Sequence, residues 1–237
     1  MRRLRDHLFE ERGTTAAEFA LVLPVALLLF FGIIDGGRYM WTVNRLEKAV
    51  QMGTRTAVVT GVVPTGLNSW DFTTSGVECP GVDASGNPTS GPIDPGSTIC
   101  AEALGTITCT RASAGTEVNC TCTPTAAGSG SCPSNLGTPG AEATERFSRI
   151  VARMRVVDRG LADDEVRISY SGSGVGYAGD PAVDDDGNDL VDAAPTVTVS
   201  VDRPGMRTLF LLGGRIPFLR SAIPRRWKTE TAPSLIE

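Results

Sequence analysis

Arg12-Gly13-Thr14-Thr15-Ala16-Ala17-Glu18-Phe19, followed without a break by the apolar run Ala20 to Ile34, is the stretch from which the rest of the chain is read. Between Thr14 and Ile34 the only ionisable side chain is Glu18. A helix over those 21 residues is about 32 Å long, enough to cross the ~30 Å hydrocarbon core of a bilayer. A carboxylate at mid-bilayer costs about 2.5–3.5 kcal/mol on insertion scales and somewhat less near the interface. An ordinary anchor gains nothing from that cost. A subunit that pairs Glu18 with a cation on a neighbour gains register. Pro24, inside the run, lacks an N–H and predicts a kink or local opening.

These residues resemble a type IV pilin-like signal, in which a prepilin peptidase cuts after Gly and leaves Glu at the fifth mature position. Gly13 then ends the leader, Thr14 is the new N-terminus and Glu18 takes that fifth position. The likeness extends through Glu18-Phe19-Ala20-Leu21-Val22-Leu23-Pro24 and Gly32-Ile33-Ile34-Asp35-Gly36-Gly37-Arg38, which are similar to the TadE family, minor pseudopilins of the tight-adherence (Flp) pilus machinery. That family usually carries an aromatic where Gly36 stands. The resemblance covers residues 12–60, is looser over 195–232 and is absent between. It implies a long N-terminal helix, processing at Gly13 and Thr14, and subunit register set by Glu18. The partners it implies are a prepilin peptidase, other pilin-like subunits and inner-membrane assembly proteins.

Charge sets the orientation. Residues 1–13 carry four arginines against three acids, a net +1 that leaves −6 of the chain's −5 for the rest. Arg2, Arg3 and Arg5 precede the span, so the positive-inside rule predicts a cytoplasmic N-terminus and an extracytoplasmic C-terminal part, in periplasm or at the cell surface. An ordinary cleaved signal peptide fits less well, because the apolar run is too long and ends without a small-x-small site. Cysteine placement points the same way. Cys79, Cys100, Cys109, Cys120, Cys122 and Cys132 all follow the span, within 54 residues rich in Gly, Ser, Thr and Pro. An even number so clustered predicts disulfides in an oxidising compartment. Cys120-Thr121-Cys122 is not a zinc spacing, and the sequence leaves the fifteen pairings open.

Beyond Ile34, Val43, Leu46, Val50 and Ala57 recur at helical spacing, so the helix is expected to run to about Thr60, where Gly61 and Pro64 stop it. Gly36-Gly37 offers a break, which would leave an anchor and a separate amphipathic helix. Residues 106–111 and 117–122 read as a hairpin with Cys120 and Cys122 on one face. Pro139 to Val157 reads as a second helix capped by Thr138, with Phe147, Ile150, Val151, Met154 and Val157 on its apolar side and Arg146, Arg149, Arg153 and Asp158 opposite. Residues 165–170 and 196–201 alternate as strands. Two short apolar runs, 209–212 and 216–219, are too short to span a bilayer. They suit either a membrane surface or the last pieces of core.

The predicted organisation is α+β. It comprises a leader (1–13), a transmembrane helix (14–34), its extension (35–60), a Cys-rich insert (61–137) and an extracytoplasmic α+β part with a small antiparallel sheet (138–237). Six per cent aromatic residues and 42 Gly plus Pro predict a small core with long loops. The acidic balance speaks against nucleic-acid binding. His7 is the only histidine, and Lys48 and Lys228 are the only lysines, so a nucleophile finds no base and enzymatic activity is not expected. Asp184, Asp186 and Asn188 occupy positions of an EF-hand-like loop, with Asp192 further along. Asp189 stands where that loop needs Gly, and Pro195 where it needs its bidentate Glu, so the expectation is a weak calcium site or a solvated acidic turn, with no other cofactor. Two functions stay open: a structural pseudopilin, or an uncleaved, signal-anchored surface protein whose Cys-rich insert binds a ligand. Intact mass of the isolated protein should run six hydrogens light, with no thiol open to alkylation, if the six cysteines are bridged. Six alkylatable cysteines would overturn the oxidising compartment.

Overall fold

The computed structural model describes residues 11–82, 85–126, 128–137, 140–179, 191–203 and 226–233. Residues 11–44 belong to one compact unit, and the described residues from 45 onward to another. Helix α1 is Glu11–Val59, 49 residues long. It continues through Pro24 and through Gly36-Gly37, so the break allowed at the glycine pair does not occur. Its C-terminal part shows the period expected of a helix on a core: Leu46, Ala49, Val50, Gly53, Thr54 and Ala57 are buried, spaced three or four apart. Thr60 ends it, with both its N–H and its hydroxyl on the Thr56 carbonyl.

Helix α2 is Ala141–Val157, with Gly140 as N-cap and no capping side chain. The predicted cap and first turn, Thr138 and Pro139, lie outside the described residues. The strands are β1 (Glu78–Val82), β2 (Pro88–Pro92), β3 (Thr106–Arg111), β4 (Val118–Thr123), β5 (Val166–Ser171), β6 (Thr196–Asp202) and β7 (Arg226–Pro233). β1 and β2 make an antiparallel hairpin of their own, and the other five form one sheet in the order β4-β3-β5-β6-β7. Each neighbouring pair in it is antiparallel. This is the α+β class expected. β1, β2 and β7 are additions that alternation did not mark, because Pro, Gly and charged residues interrupt their patterns.

One face of the sheet supplies Ile107, Cys109, Val166, Ile168, Tyr170, Val197, Val199 and Val201 to the core, and α2 supplies Phe147, Ile150, Val151 and Met154. Gly53 shows how closely α1 approaches the other elements. A Cβ there would lie 2.7 Å from the Met154 side chain and 3.4 Å from Val199. The sheet also alters the division by composition. β3 and β4 lie in the Cys-rich stretch, yet β3 pairs with β5, so the boundary drawn at 137/138 runs through a single sheet. Among the described residues, twelve of the thirty buried apolar side chains come from residues 61–137. The apolar residues that occur singly in that stretch, such as Leu67, Phe72, Val77, Ile93 and Ile99, converge on the common core instead of forming a module of their own.

Three disulfides complete this part: Cys79–Cys100, Cys109–Cys120 and Cys122–Cys132. Cys109 and Cys120 are direct partners in the β3–β4 register, and Cys120 and Cys122 share a face as the alternation requires. Gly105 is obligatory beside the last bridge. A Cβ on it would meet the Thr123 carbonyl at 2.6 Å and the sulfurs of Cys122 and Cys132 at 2.9 Å.

Tyr170, on β5, is fully buried, and its hydroxyl accepts the N–H of Val63 at 3.1 Å. Burial pushes its ionisation from 10.0 up to about 12, against smaller opposing pulls from that hydrogen bond and from Arg146. A raised value means that the folded state holds the proton more tightly. The stabilisation is therefore complete below about pH 10 and is lost as pH rises through about 12, a fall of about 2–3 kcal/mol. Urea denaturation at about pH 9 and about pH 12 should show that fall in the native chain. Tyr170→Phe should lose the pH-dependent difference while being less stable at both values.

Candidate functional site

The N-terminal part of α1 has an unusual surface for a protein helix. Residues 16–30 are all exposed, among them Phe19 at 65 %, Leu21 at 78 % and Leu29 at 66 %. Leu and Phe residues point in every direction around the axis, so no choice of one buried face hides them. One described helix is long and apolar enough to cross a membrane, and it is this one; none of its most apolar stretch is buried. So large a continuous apolar surface requires an apolar solvent or an apolar partner.

Glu18 stands exposed within this surface and forms no ion pair among the described residues. The bond between Gly13 and Thr14 lies in the first turn of α1. Pro24 leaves the Ala20 carbonyl without its usual donor. Gly32 and Gly36 are four residues apart, and a Cβ on either would meet nothing within 4 Å.

At the other end of α1 a polar cluster holds three elements together. Asp158, the C-cap of α2, is fully buried. Its carboxylate receives Arg45 of α1 at 2.9 Å and Arg203, just beyond β6, at 2.7 Å. Arg203 also grips Glu165 with two N–H donors, at 2.8 and 2.7 Å, and donates to the Gly160 carbonyl. The Glu165 hydrogen bonds, followed by those to Asp158, hold the Arg203 guanidinium even more firmly protonated than usual, although partial burial opposes them. A second buried carboxylate, Asp163, accepts Arg155 at 2.6 Å and Arg111 at 3.2 Å.

This arrangement corrects the helical-wheel reading of Asp158, which grouped it with the outward-facing arginines of α2. At the C-cap the backbone has left the helical region (φ −118°, ψ 91°), so the wheel no longer predicts its direction. One signal was present in the sequence. An acid at a helix C-terminus opposes the macrodipole and needs a cation close by. Arg45 and Arg203 could not be chosen as those cations from spacing alone.

The other sequence-derived residues fall as follows. All six cysteines are bridged. Of the calcium candidates, Asp184, Asp186 and Asn188 lie outside the described residues, while Asp192 accepts the Gly179 N–H at 2.8 Å. The leader up to residue 10, including His7, and the apolar runs 209–212 and 216–219 also lie outside them.

Helix α1 thus defines a class: a chain whose described residues hold one membrane-capable helix and a small disulfide-bonded α+β fold. A family model described as TadE-like protein matches residues 13–55, from the residue before Thr14 to near the end of α1. The likeness stated from the sequence therefore stands over that helix, with Gly13, Thr14 and Glu18 inside the match. No curated protein and no solved structure matches the chain.

The cluster makes a stability prediction. Asp158→Ala leaves two guanidiniums facing each other without their carboxylate, and should cost about 3 kcal/mol, the low end for a broken buried pair because Arg45 reaches solvent. Asp158→Asn keeps the acceptor oxygen and should lose less. Urea midpoints of the two variants, read beside the native chain, check the order.

Proposed function

We propose that this chain is a structural, non-enzymatic pseudopilin-like subunit of a tight-adherence (Flp) or related pilus machinery. The observation that carries the reading is Glu18, a carboxylate in a helix surface that is otherwise apolar on all sides, within the stretch similar to TadE-like proteins. On this reading residues 1–13 stay in the cytoplasm and are removed by a prepilin peptidase. The disulfide-bonded fold lies outside the cytoplasmic membrane, where its bridges persist. The chain needs no cofactor in this role. Other pilin-like subunits and inner-membrane assembly proteins are its partners.

The mechanism follows from the cost of the carboxylate. Cleavage frees the amine of Thr14, about one turn below Glu18 on the helix. An offset of one turn between adjacent subunits brings that amine to a neighbour's Glu18, and pairing lowers the cost of a charge in lipid. The unfilled space at Gly32 and Gly36 supports close approach of a second helix.

Gly13→Val should keep the leader attached, because a branched side chain obstructs the peptidase at the bond. Glu18→Gln should be cleaved and inserted as normal, yet fail to support assembly. N-terminal mass spectrometry and a pilus or adherence assay read the two halves. Retention of Met1–Gly13 in the native protein, or normal assembly by Glu18→Gln, would overturn the proposal in favour of a signal-anchored surface protein.

A further inference from the structure

The apolar run of α1 is short for a bilayer when measured between its charges. Glu18 and Asp35 are 17 residues apart, or about 26 Å along the axis, whereas the hydrocarbon core is ~30 Å thick. The core must therefore reach past one carboxylate. Beyond Asp35 comes a run unlike any other on the helix: Arg38, Tyr39, Met40 and Trp41. Four consecutive helical residues point about 100° apart, so these side chains encircle the axis. Met40 is 64 % and Trp41 61 % exposed, Arg38 is exposed and Tyr39 half-buried. One turn further on the exposed positions turn polar, at Asn44, Glu47, Lys48 and Gln51.

We propose that the bilayer boundary crosses α1 at this ring, about one turn beyond Ile34, and that Arg38, Tyr39, Met40 and Trp41 form a collar that binds phospholipid head groups. The proposal rests on the membrane reading above and adds the depth to it. Three observations carry it. The ring lies about 30–35 Å from Glu18, which suits a hydrocarbon core with its first polar layer. Tyr and Trp place an apolar ring body in the chains and a polar tip at the carbonyls and phosphates. Arg38 lies 4.0 Å from Asp35 and is itself exposed, so one guanidinium neutralises the carboxylate below it while reaching up to phosphate. Asp35 itself is covered by the protein, 4 % exposed, so its carboxylate lies at the margin of the hydrocarbon shielded from lipid, with Arg38 as one of its partners.

The test reads the depth of Trp41. The full chain and its Trp41→Phe variant are reconstituted in phosphatidylcholine–phosphatidylglycerol vesicles whose acyl chains carry bromine either near the ester or near the chain end. The fluorescence difference between the two proteins isolates Trp41 from Trp70 and Trp227. Bromine near the ester should quench that component at least about twofold more than bromine near the chain end, as an interfacial tryptophan requires. Trp41 unaffected by either lipid and fully open to aqueous iodide would place the boundary at Ile34 and overturn the collar, as would strongest quenching by bromine near the chain end. Carbonate extraction separates this failure from a larger one. A protein that washes off the vesicles refutes the membrane reading itself, whereas one that stays while Trp41 remains in water refutes the collar alone.

Discussion

The carboxylate of Asp158 is the interaction on which the folded part most depends. It is fully buried, and its cost is offset by Arg45 from the long helix and Arg203 from the end of the last long inner strand. Removing water from three charged groups is favourable only when every donor is aimed, and here the geometry is over-determined. Arg203 is held by Glu165 as well as Asp158, and Asp158 also accepts the Gly160 N–H at 3.2 Å. The cluster therefore fixes the end of α2, the turn into β5 and the point where α1 meets them. Apolar packing alone specifies such positions loosely, since a helix can slide by a fraction of a turn along a stripe of small side chains such as Ala49, Gly53 and Ala57.

That stripe has a second consequence. Small residues on α1 let it lie close to Met154 and Val199, and close approach gives dispersion contacts that larger residues would prevent by holding the helix away. The same helix has the opposite requirement in its N-terminal part, where large side chains cover all sides. One continuous helix carries both patterns, a narrow seam for a protein core and an all-round apolar coat of the kind a membrane-capable helix has. The change of pattern falls between Asp35 and Arg45, in the segment that contains the proposed collar.

The Cys-rich stretch shows a different division of labour. Its apolar residues are too sparse in sequence to build a core alone, and composition makes it look like a separate module held only by bridges. In three dimensions β3 joins the main sheet, and residues such as Phe72, Ile99 and Leu104 enter the shared core. The bridges then restrict the long connections between those anchor points. Cys79–Cys100 closes a separation of 21 residues, while the other two close 11 and 10. Such links act chiefly on the unfolded chain, and matter most where few apolar contacts oppose disorder.

What the sequence determined by itself is local or compositional. The apolar run, the likeness to a processing signal around Gly13 and Glu18, the amphipathic period of α2 and the alternation of β3, β4, β5 and β6 each depend on residues within one turn or one strand of each other. The family match over residues 13–55 has the same local character. What only the tertiary structure decided is long-range. The disulfide pairing, the strand order β4-β3-β5-β6-β7 and the partners of Asp158 join residues from 10 to more than a hundred positions apart. β7 is the clearest case. Its eight residues include Arg226, Lys228 and Glu230, with no run of apolar alternation to mark them, and it is a strand because β6 offers an edge whose N–H and C=O groups need partners. Side-chain periodicity announces an element that buries a face of its own, whereas an element made by a neighbour's unpaired backbone leaves no such trace in its own residues.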